Sequence, residues 1–212
     1  MMRSPVLIFT LFAIGISATG QNDPQAVKIL DRFSSTATSA PSVSMKFLLV
    51  NIDQLADTRD STEGSVIISK NSYRLDLPDN IVWFNGETSW SYLPAEKEVT
   101  IMVPDKNDDS FQSRPSLIFT MYKKGYKSRL VEERSDSYLI DLYPDDIKSD
   151  LVRVRLHIDK SSLNLRSFEY KQRDGMTLFI IISDYSLKQV PEAGMFTFVP
   201  EKYKGVEVID MR

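Results

Sequence analysis

Residues 64–94, GSVIISKNSYRLDLPDNIVWFNGETSWSYLP, decide the fold class. Apolar and polar side chains alternate along this stretch, and a period of two is typical of strands with one buried face. Asn85-Gly86 offers the left-handed backbone that a two-residue hairpin turn requires. The stretch therefore predicts consecutive antiparallel strands, at residues 65–69, 73–77, 81–84 and 88–93.

The same alternation recurs on both sides of this stretch. It begins at Ser42, where Val43, Met45, Phe47 and Leu49 alternate with polar residues, and the polar residues 53–64 indicate a long hairpin loop. We expect about ten or eleven strands in one sheet. Further segments with strand-like texture are residues 99–103, 127–132, 137–143, 152–158, 165–171, 178–183 and 196–198.

Two segments have helical signals instead. Asp23 is a suitable N-cap with Pro24 in the first turn, and the apolar residues Ala26, Ile29, Leu30 and Phe33 follow at helical spacing. Pro115 opens a second, very apolar segment, residues 116–124, with lysines in its last turn. The sequence thus predicts an α+β fold, mainly antiparallel β, with two helices.

The N-terminus has the organisation of a signal peptide. Arg3 precedes an apolar run at residues 6–16, which ends in small residues before Gln21. The run is shorter than the roughly 20 residues that a membrane-spanning helix needs. We therefore predict cleavage after Gly20, or else after Ala18, and a single soluble domain at residues 21–212. An uncleaved anchor and a buried helix are the alternatives.

The composition argues against several classes of function. The chain has no cysteine, which excludes disulfides and a lipid attached to an N-terminal cysteine. A net charge of −3 offers no basic surface for nucleic acid or anionic membrane. We therefore expect no nucleic-acid partner.

No catalytic or metal motif is evident, and we expect neither an enzyme nor a cofactor. The only histidine, His157, shares its strand phase with Arg153 and Arg155, which predicts a surface position. Residues 105–109 resemble the start of a calcium loop, but Ser110 and Ser116 replace its glycine and glutamate. The acids at residues 145, 146 and 150 indicate a polar connection between strands. A catalytic carboxylate pair of the glycosidase type is the alternative, and only the distance between the carboxylates can refute it.

A long curved sheet exposes a concave face that two short helices cannot fill. Either the helices cover a hydrophobic cavity or the sheet closes, and ordinary core packing is the alternative explanation for the apolar side chains. The candidates to face inward are Phe47, Tyr73, Leu75, Trp83, Trp90, Tyr92, Leu117, Ile118 and Phe119.

Several motifs resemble one family in their order and spacing. They are DPQAVKILDRFS at residues 23–34, the stretch 64–94 with its NGETSWSY hairpin at 85–92, PSLIF at 115–119, FTFVP at 196–200 and GVEVID at 205–210. Together they resemble the LolA family of periplasmic outer-membrane lipoprotein carriers.

The resemblance implies an unclosed, half-barrel sheet with a lid over a hydrophobic cavity that accepts the acyl chains of lipoproteins. Ala26 to Phe33, including Ile29, and Leu117 to Tyr122 would form the lid, and Tyr73, Leu75, Trp90 and Tyr92 part of the wall. It also implies an inner-membrane release complex and an outer-membrane acceptor as partners, and we expect a monomer. A binding module for another lipid or hydrophobic ligand is the alternative.

The chain departs from the family at one position. Family members carry a basic residue followed by proline just before the strand at Tyr73, and this residue helps to hold the lid shut. Here the sequence is Ser69-Lys70-Asn71. Lys70 would replace it only in part, because an ammonium lacks the fork of donors of a guanidinium.

Overall fold

The computed structural model describes residues 22–105, 111 and 113–212. The predicted signal peptide, residues 1–20, lies outside the described residues, as do residues 106–110 of the calcium-loop-like stretch. No helix in the described part is long and apolar enough to cross a bilayer.

One α-helix and one twelve-stranded sheet make up the regular structure of the described residues. Short 3₁₀ helices lie at Pro115–Phe119, Met121–Lys123 and Pro200–Lys202. The elements are α1 (Pro24–Ser39), β1 (Val43–Asp53), β2 (Thr58–Ser69), β3 (Ser72–Asp76), β4 (Ile81–Phe84), β5 (Ser89–Leu93), β6 (Glu98–Met102), β7 (Tyr126–Glu133), β8 (Ser137–Pro144), β9 (Leu151–Asp159), β10 (Leu165–Gln172), β11 (Met176–Ser186) and β12 (Glu207–Asp210).

The sheet is curved and open. Its strand order is β12-β6-β5-β4-β3-β2-β1-β11-β10-β9-β8-β7, and β12 on β6 is the parallel pair. Among the described strands, the edges β7 and β12 do not pair with each other. The mainly antiparallel, unclosed sheet is as predicted, with twelve strands instead of ten or eleven.

The prediction of a long loop at residues 53–64 is wrong. The chain turns at residues 54–57, where the Asp53 carboxylate accepts hydrogen bonds from the backbone N–H groups of Leu55 (2.9 Å) and Ala56 (3.0 Å). β2 then begins at Thr58. The alternation is missing there because both faces of β2 are largely exposed over residues 58–63.

The predicted helix at residues 116–124 is also wrong. Two short 3₁₀ helices occupy the segment, and the backbone of Thr120, at φ −131°, interrupts them. Neither helix has a side-chain N-cap. The predicted strand at 196–198 is absent too, because these residues follow an irregular path before the 3₁₀ helix at Pro200–Lys202.

Helix α1 forms as predicted and is fastened at its N-terminus. One carboxylate oxygen of Asp23 accepts hydrogen bonds from Gln25 N (2.9 Å) and Ala26 N (3.4 Å). The other accepts one from Leu130 N of edge strand β7 (3.1 Å). Desolvation alone would raise the pKa of Asp23, but these N–H donors lower it. The cap residue thus also secures the helix to the sheet.

Candidate functional site

The pairing register divides the aromatic candidates between the two faces of the sheet. Residues directly opposite in a register share a face. Tyr73 pairs with Phe84 on one face, whereas Arg74 pairs with Trp83 on the other. Trp83 in turn pairs with Trp90. We call the face of Tyr73 the inner face and that of Trp83 the outer face.

The prediction that Trp83, Trp90 and Tyr92 line the same cavity as Tyr73 and Leu75 is therefore wrong. The three residues belong to a second apolar cluster on the outer face. Phe198 and Tyr203 of the C-terminal segment cover it, with ring centroids 5.6 Å from that of Trp83. The Arg74 guanidinium lies over the Trp83 ring at 5.4 Å.

The inner face carries the main core. Phe47, Tyr73 and Leu75 are at most 3% exposed, and they belong to the same cluster as the α1 residues Ile29 and Phe33. The segment after β6 also packs on this face. It contributes the buried residues Ile118, Phe119 and Tyr122 and the half-buried Leu117. The helix and this segment thus both pack on the inner face.

Gly64 shows how closely Phe47 approaches the sheet. Gly64 pairs with Phe47, and a Cβ placed on it would lie 2.8 Å from Cζ of the Phe47 ring. A side chain at this position would displace the ring. The glycine thus lets the aromatic ring lie flat on the inner wall.

Phe111 is an inner-face residue that the sequence analysis missed. It is 1% exposed and contacts the rings of Phe47 (5.8 Å) and Phe168 (5.0 Å). It therefore lies over the central strands β1 and β10 of the inner face. No periodic pattern surrounds it, so its burial follows from the tertiary structure alone.

Two contacts join α1 to the 3₁₀ segment, residues 115–123. The rings of Phe33 and Phe119 lie 5.6 Å apart. The Tyr122 hydroxyl donates a 2.6 Å hydrogen bond to Asp31 of α1. Burial and this hydrogen bond to a carboxylate raise the pKa of Tyr122 to about 12.

Two adjoining cavities open beside the 3₁₀ segment. The larger, about 630 Å³, lies next to Tyr73, Phe84 and Val103. The smaller, about 290 Å³, lies between the end of α1, the start of β1 and the 3₁₀ segment, next to Val43, Ile68, Leu117 and Phe119. They share three lining residues: Asn71, Arg114 and Ser116. Both cavities are thus lined by apolar and polar residues together.

Comparison with known proteins identifies the architecture. Residues 16–176 match the family described as outer membrane lipoprotein carrier protein LolA. The chain belongs to this family. An outer-membrane lipoprotein carrier protein from Photobacterium profundum is 30% identical over 155 residues, which cover 71% of this chain and 73% of that protein.

Solved structures share the fold of this LolA family member at low sequence identity. An uncharacterized conserved protein from Thermus thermophilus has a TM-score of 0.57 and 12% identity, covering 88% of this chain and 99% of that one. A DUF1329 family protein from Desulfovibrio piger has a TM-score of 0.50 and 13% identity, covering 87% and 100%. These matches concern the fold alone.

The latch position inferred from the LolA resemblance falls at a hairpin turn. Lys70 has a positive φ of 53° between β2 and β3, and its side chain lines the smaller cavity. The ammonium is exposed and makes no hydrogen bond or ion pair within the described part of the chain. The Tyr122–Asp31 hydrogen bond is a polar contact between the 3₁₀ segment and α1.

The polar residues that could suggest catalysis lie elsewhere in this LolA family fold. His157 is on the outer face with Arg153 and Arg155, as predicted, and its register partner on β10 is Ser167. Burial lowers its pKa, and so do the positive charges of Arg166 and Arg134. Among the described residues, no group of three acidic, histidine or cysteine side chains is placed to hold a metal.

Proposed function

We propose that the protein is a periplasmic carrier that binds the acyl chains of lipoproteins in its concave face and moves them from the inner to the outer membrane. One observation supports this most. The buried apolar side chains of the inner face are covered by the 3₁₀ segment, whose described backbone hydrogen bonds join residues 114–124 only to one another. In this proposal residues 1–20 are a cleaved signal peptide and residues 21–212 the carrier domain, which acts without catalysis.

The magnitudes favour reversible exchange between the lid and the cargo. An acyl chain of about 15 methylenes gains roughly 12 kcal/mol when it leaves water. Moving Ile118, Phe119 and Met121 of this segment out of the core loses about 4.5 to 9 kcal/mol in total, at about 1.5 to 3 kcal/mol for each side chain. Because the two quantities are of the same order, cargo displaces the lid and the lid later displaces cargo.

The proposed binding surface follows from the two faces. Its wall is formed by Phe47, Tyr73 and Leu75, and α1 adds Ile29 and Phe33. The lid is the 3₁₀ segment with Leu117, Ile118, Phe119 and Tyr122. It leaves the inner face as cargo enters through the two adjoining cavities. The partners would be an inner-membrane release complex as donor and an outer-membrane acceptor.

The test is the release of radiolabelled lipoprotein from spheroplasts by the purified protein. We expect a soluble one-to-one complex with the wild-type protein and none with Phe119→Glu. Phe198→Glu is the matched control, because it places the same charge in the apolar cluster of the outer face. Folding of both variants is checked by circular dichroism. Normal release by a folded Phe119→Glu variant would contradict the proposal.

The purified protein also allows the alternative, a free lipid as the ligand, to be tested. Mass spectrometry of lipids extracted from the purified protein would show a free fatty acid or glycolipid if the protein binds such ligands. A co-purified free lipid, together with no release of lipoprotein, would make it a lipid-binding module instead.

A further inference from the structure

Two highly exposed aliphatic side chains project from the end of the sheet away from the cavities. Leu55, in the turn between β1 and β2, is 84% exposed, and Ile147, in the connection between β8 and β9, is 83% exposed. Isolated exposed aliphatic residues are ordinary, but several on one surface are typical of interaction surfaces. The structure places these two in turns at the same end of the sheet, with one further turn between them.

A third turn, residues 173–175, contacts both of the others. Gln54 N donates a hydrogen bond to Gly175 O (3.3 Å). On its other side, Nη2 of Arg173 donates one to Ile147 O, and Arg173 Nε one to Ser149 O, both at 2.8 Å. We call residues 53–57, 145–150 and 173–175 the distal surface. Its backbone is held by hydrogen bonds, so Leu55 and Ile147 are presented in defined positions.

The distal surface is strongly acidic. It contains six aspartates against one lysine and one arginine, a net charge of 2 − 6 = −4, whereas the whole chain carries −3. The aspartates are residues 53, 57, 145, 146, 150 and 174, and none forms an ion pair within the described part of the chain. Such a surface repels anionic lipid and attracts basic protein.

We propose that the distal surface docks a protein partner with a basic surface and apolar pockets for Leu55 and Ile147. Interfaces of this kind combine apolar anchors with a charged rim. β1 begins at Val43, which lines the smaller cavity, and its eleven residues end at Asp53. At about 3.3 Å per residue, roughly 35 Å separates the two ends. A docked partner would therefore leave the cavities open for cargo.

The inference goes beyond the proposed carrier function, and the test measures the two separately. Docking is measured as binding of fluorescently labelled protein to spheroplasts, and the carrier function as uptake of a fluorescent fatty acid in solution. The test variant is Leu55→Ser with Ile147→Ser. The control is Val190→Ser, an aliphatic residue 73% exposed outside the distal surface.

We expect the double variant to bind spheroplasts about tenfold more weakly, because both apolar anchors are lost. Its fatty acid uptake and the spheroplast binding of Val190→Ser should equal those of the wild type. Wild-type binding should fall as salt rises, and Asp57→Asn with Asp145→Asn and Asp150→Asn should flatten that dependence.

Two outcomes would overturn the docking surface. Binding by the double variant with wild-type affinity would show that the aliphatic tips make no contact. Wild-type binding that survives protease treatment of the spheroplasts would identify a lipid surface as the occupant. Failure of fatty acid uptake with normal, anchor-dependent binding would contradict the carrier function alone.

Discussion

Both faces of the sheet bury aromatic side chains under a covering segment, but the two covers are attached differently. The C-terminal cover of the outer face continues into β12, which pairs with β6, and Glu207 N and Met211 N donate hydrogen bonds to Lys97 O and Ile101 O at 2.9 Å. The lid of the inner face has local 3₁₀ hydrogen bonds and is held to α1 by side chains.

The difference explains how one sheet carries a permanent and an exchangeable cover. Displacing the C-terminal cover breaks the backbone hydrogen bonds between β12 and β6. The N–H and C=O groups freed on both strands would then need other partners. Displacing the lid exposes its apolar side chains, and an acyl chain can take their place on the inner face. The inner face is thus suited to cargo and the outer face to stability.

The largest expected effect is a difference in the free energy of unfolding between variants of the outer-face cluster and variants of the lid. Trp83→Ala should lower the free energy of unfolding by about 3 to 5 kcal/mol, because a buried aromatic residue is removed from a permanent core. Phe119→Ala should lower it by only about 1 to 2 kcal/mol, because the loss is limited by the free energy of opening the lid. Urea denaturation measures both. Equal losses would show that lid and sheet unfold as one unit.

Alkaline pH should weaken closure of the lid. The pKa of Tyr122 is raised from 10.0 to about 12 in the closed lid. The stabilisation is fully present below pH 10, where the open form is also protonated, and is lost as pH rises from 10 to about 12. Fatty acid uptake should therefore accelerate in that range for the wild type. A Tyr122→Phe variant with the same acceleration would refute the linkage.

Hydrogen exchange compares the covers directly. Thr120 and Lys123 have amides bonded within the lid, whereas Glu207 and Met211 have amides bonded to β6 and the residue before it. The lid amides should exchange at least about tenfold faster, because local opening suffices to expose them. Mass spectrometry of peptides from residues 115–124 and 203–212 resolves the difference, and slower exchange in the lid peptide would reverse the comparison.

The smallest effect concerns one hydroxyl. Tyr122→Phe removes the hydrogen bond to Asp31 and should weaken lid closure by about 1 kcal/mol, which raises the rate of fatty acid entry several-fold. Tyr143→Phe is the matched control, since the Tyr143 hydroxyl donates a 3.0 Å hydrogen bond to Asp141 on the outer face. Stopped-flow fluorescence should show faster entry for the first variant only.

Periodicity located most strands but not the faces on which their side chains lie. Odd-numbered residues of β3 pair with even-numbered residues of β4, so Tyr73 and Trp83 point to opposite faces although both have odd numbers. The turn between the strands sets this change of phase. A shift of one residue in register exchanges the faces of a strand.

The structures of two covering segments could not be predicted from sequence patterns, for a different reason. The apolar composition of residues 116–124 indicated a helix. The segment folds instead as two short 3₁₀ helices whose side chains pack on the inner face of the sheet. The strand β12 is short and exposed, and its pairing with β6 joins segments far apart in the chain. Each depends on surfaces that the rest of the fold supplies.

The sequence by itself determined the mainly antiparallel sheet, the capped helix α1 and an abundance of apolar side chains, because backbone alternation, capping and turn formation are local. The tertiary structure decided that Phe47 and Tyr73 face Phe111 and the lid, and that Trp83 and Tyr92 lie beneath the C-terminal segment. These choices depend on strand register and on which segment covers each face, and both are interactions between distant parts of the chain.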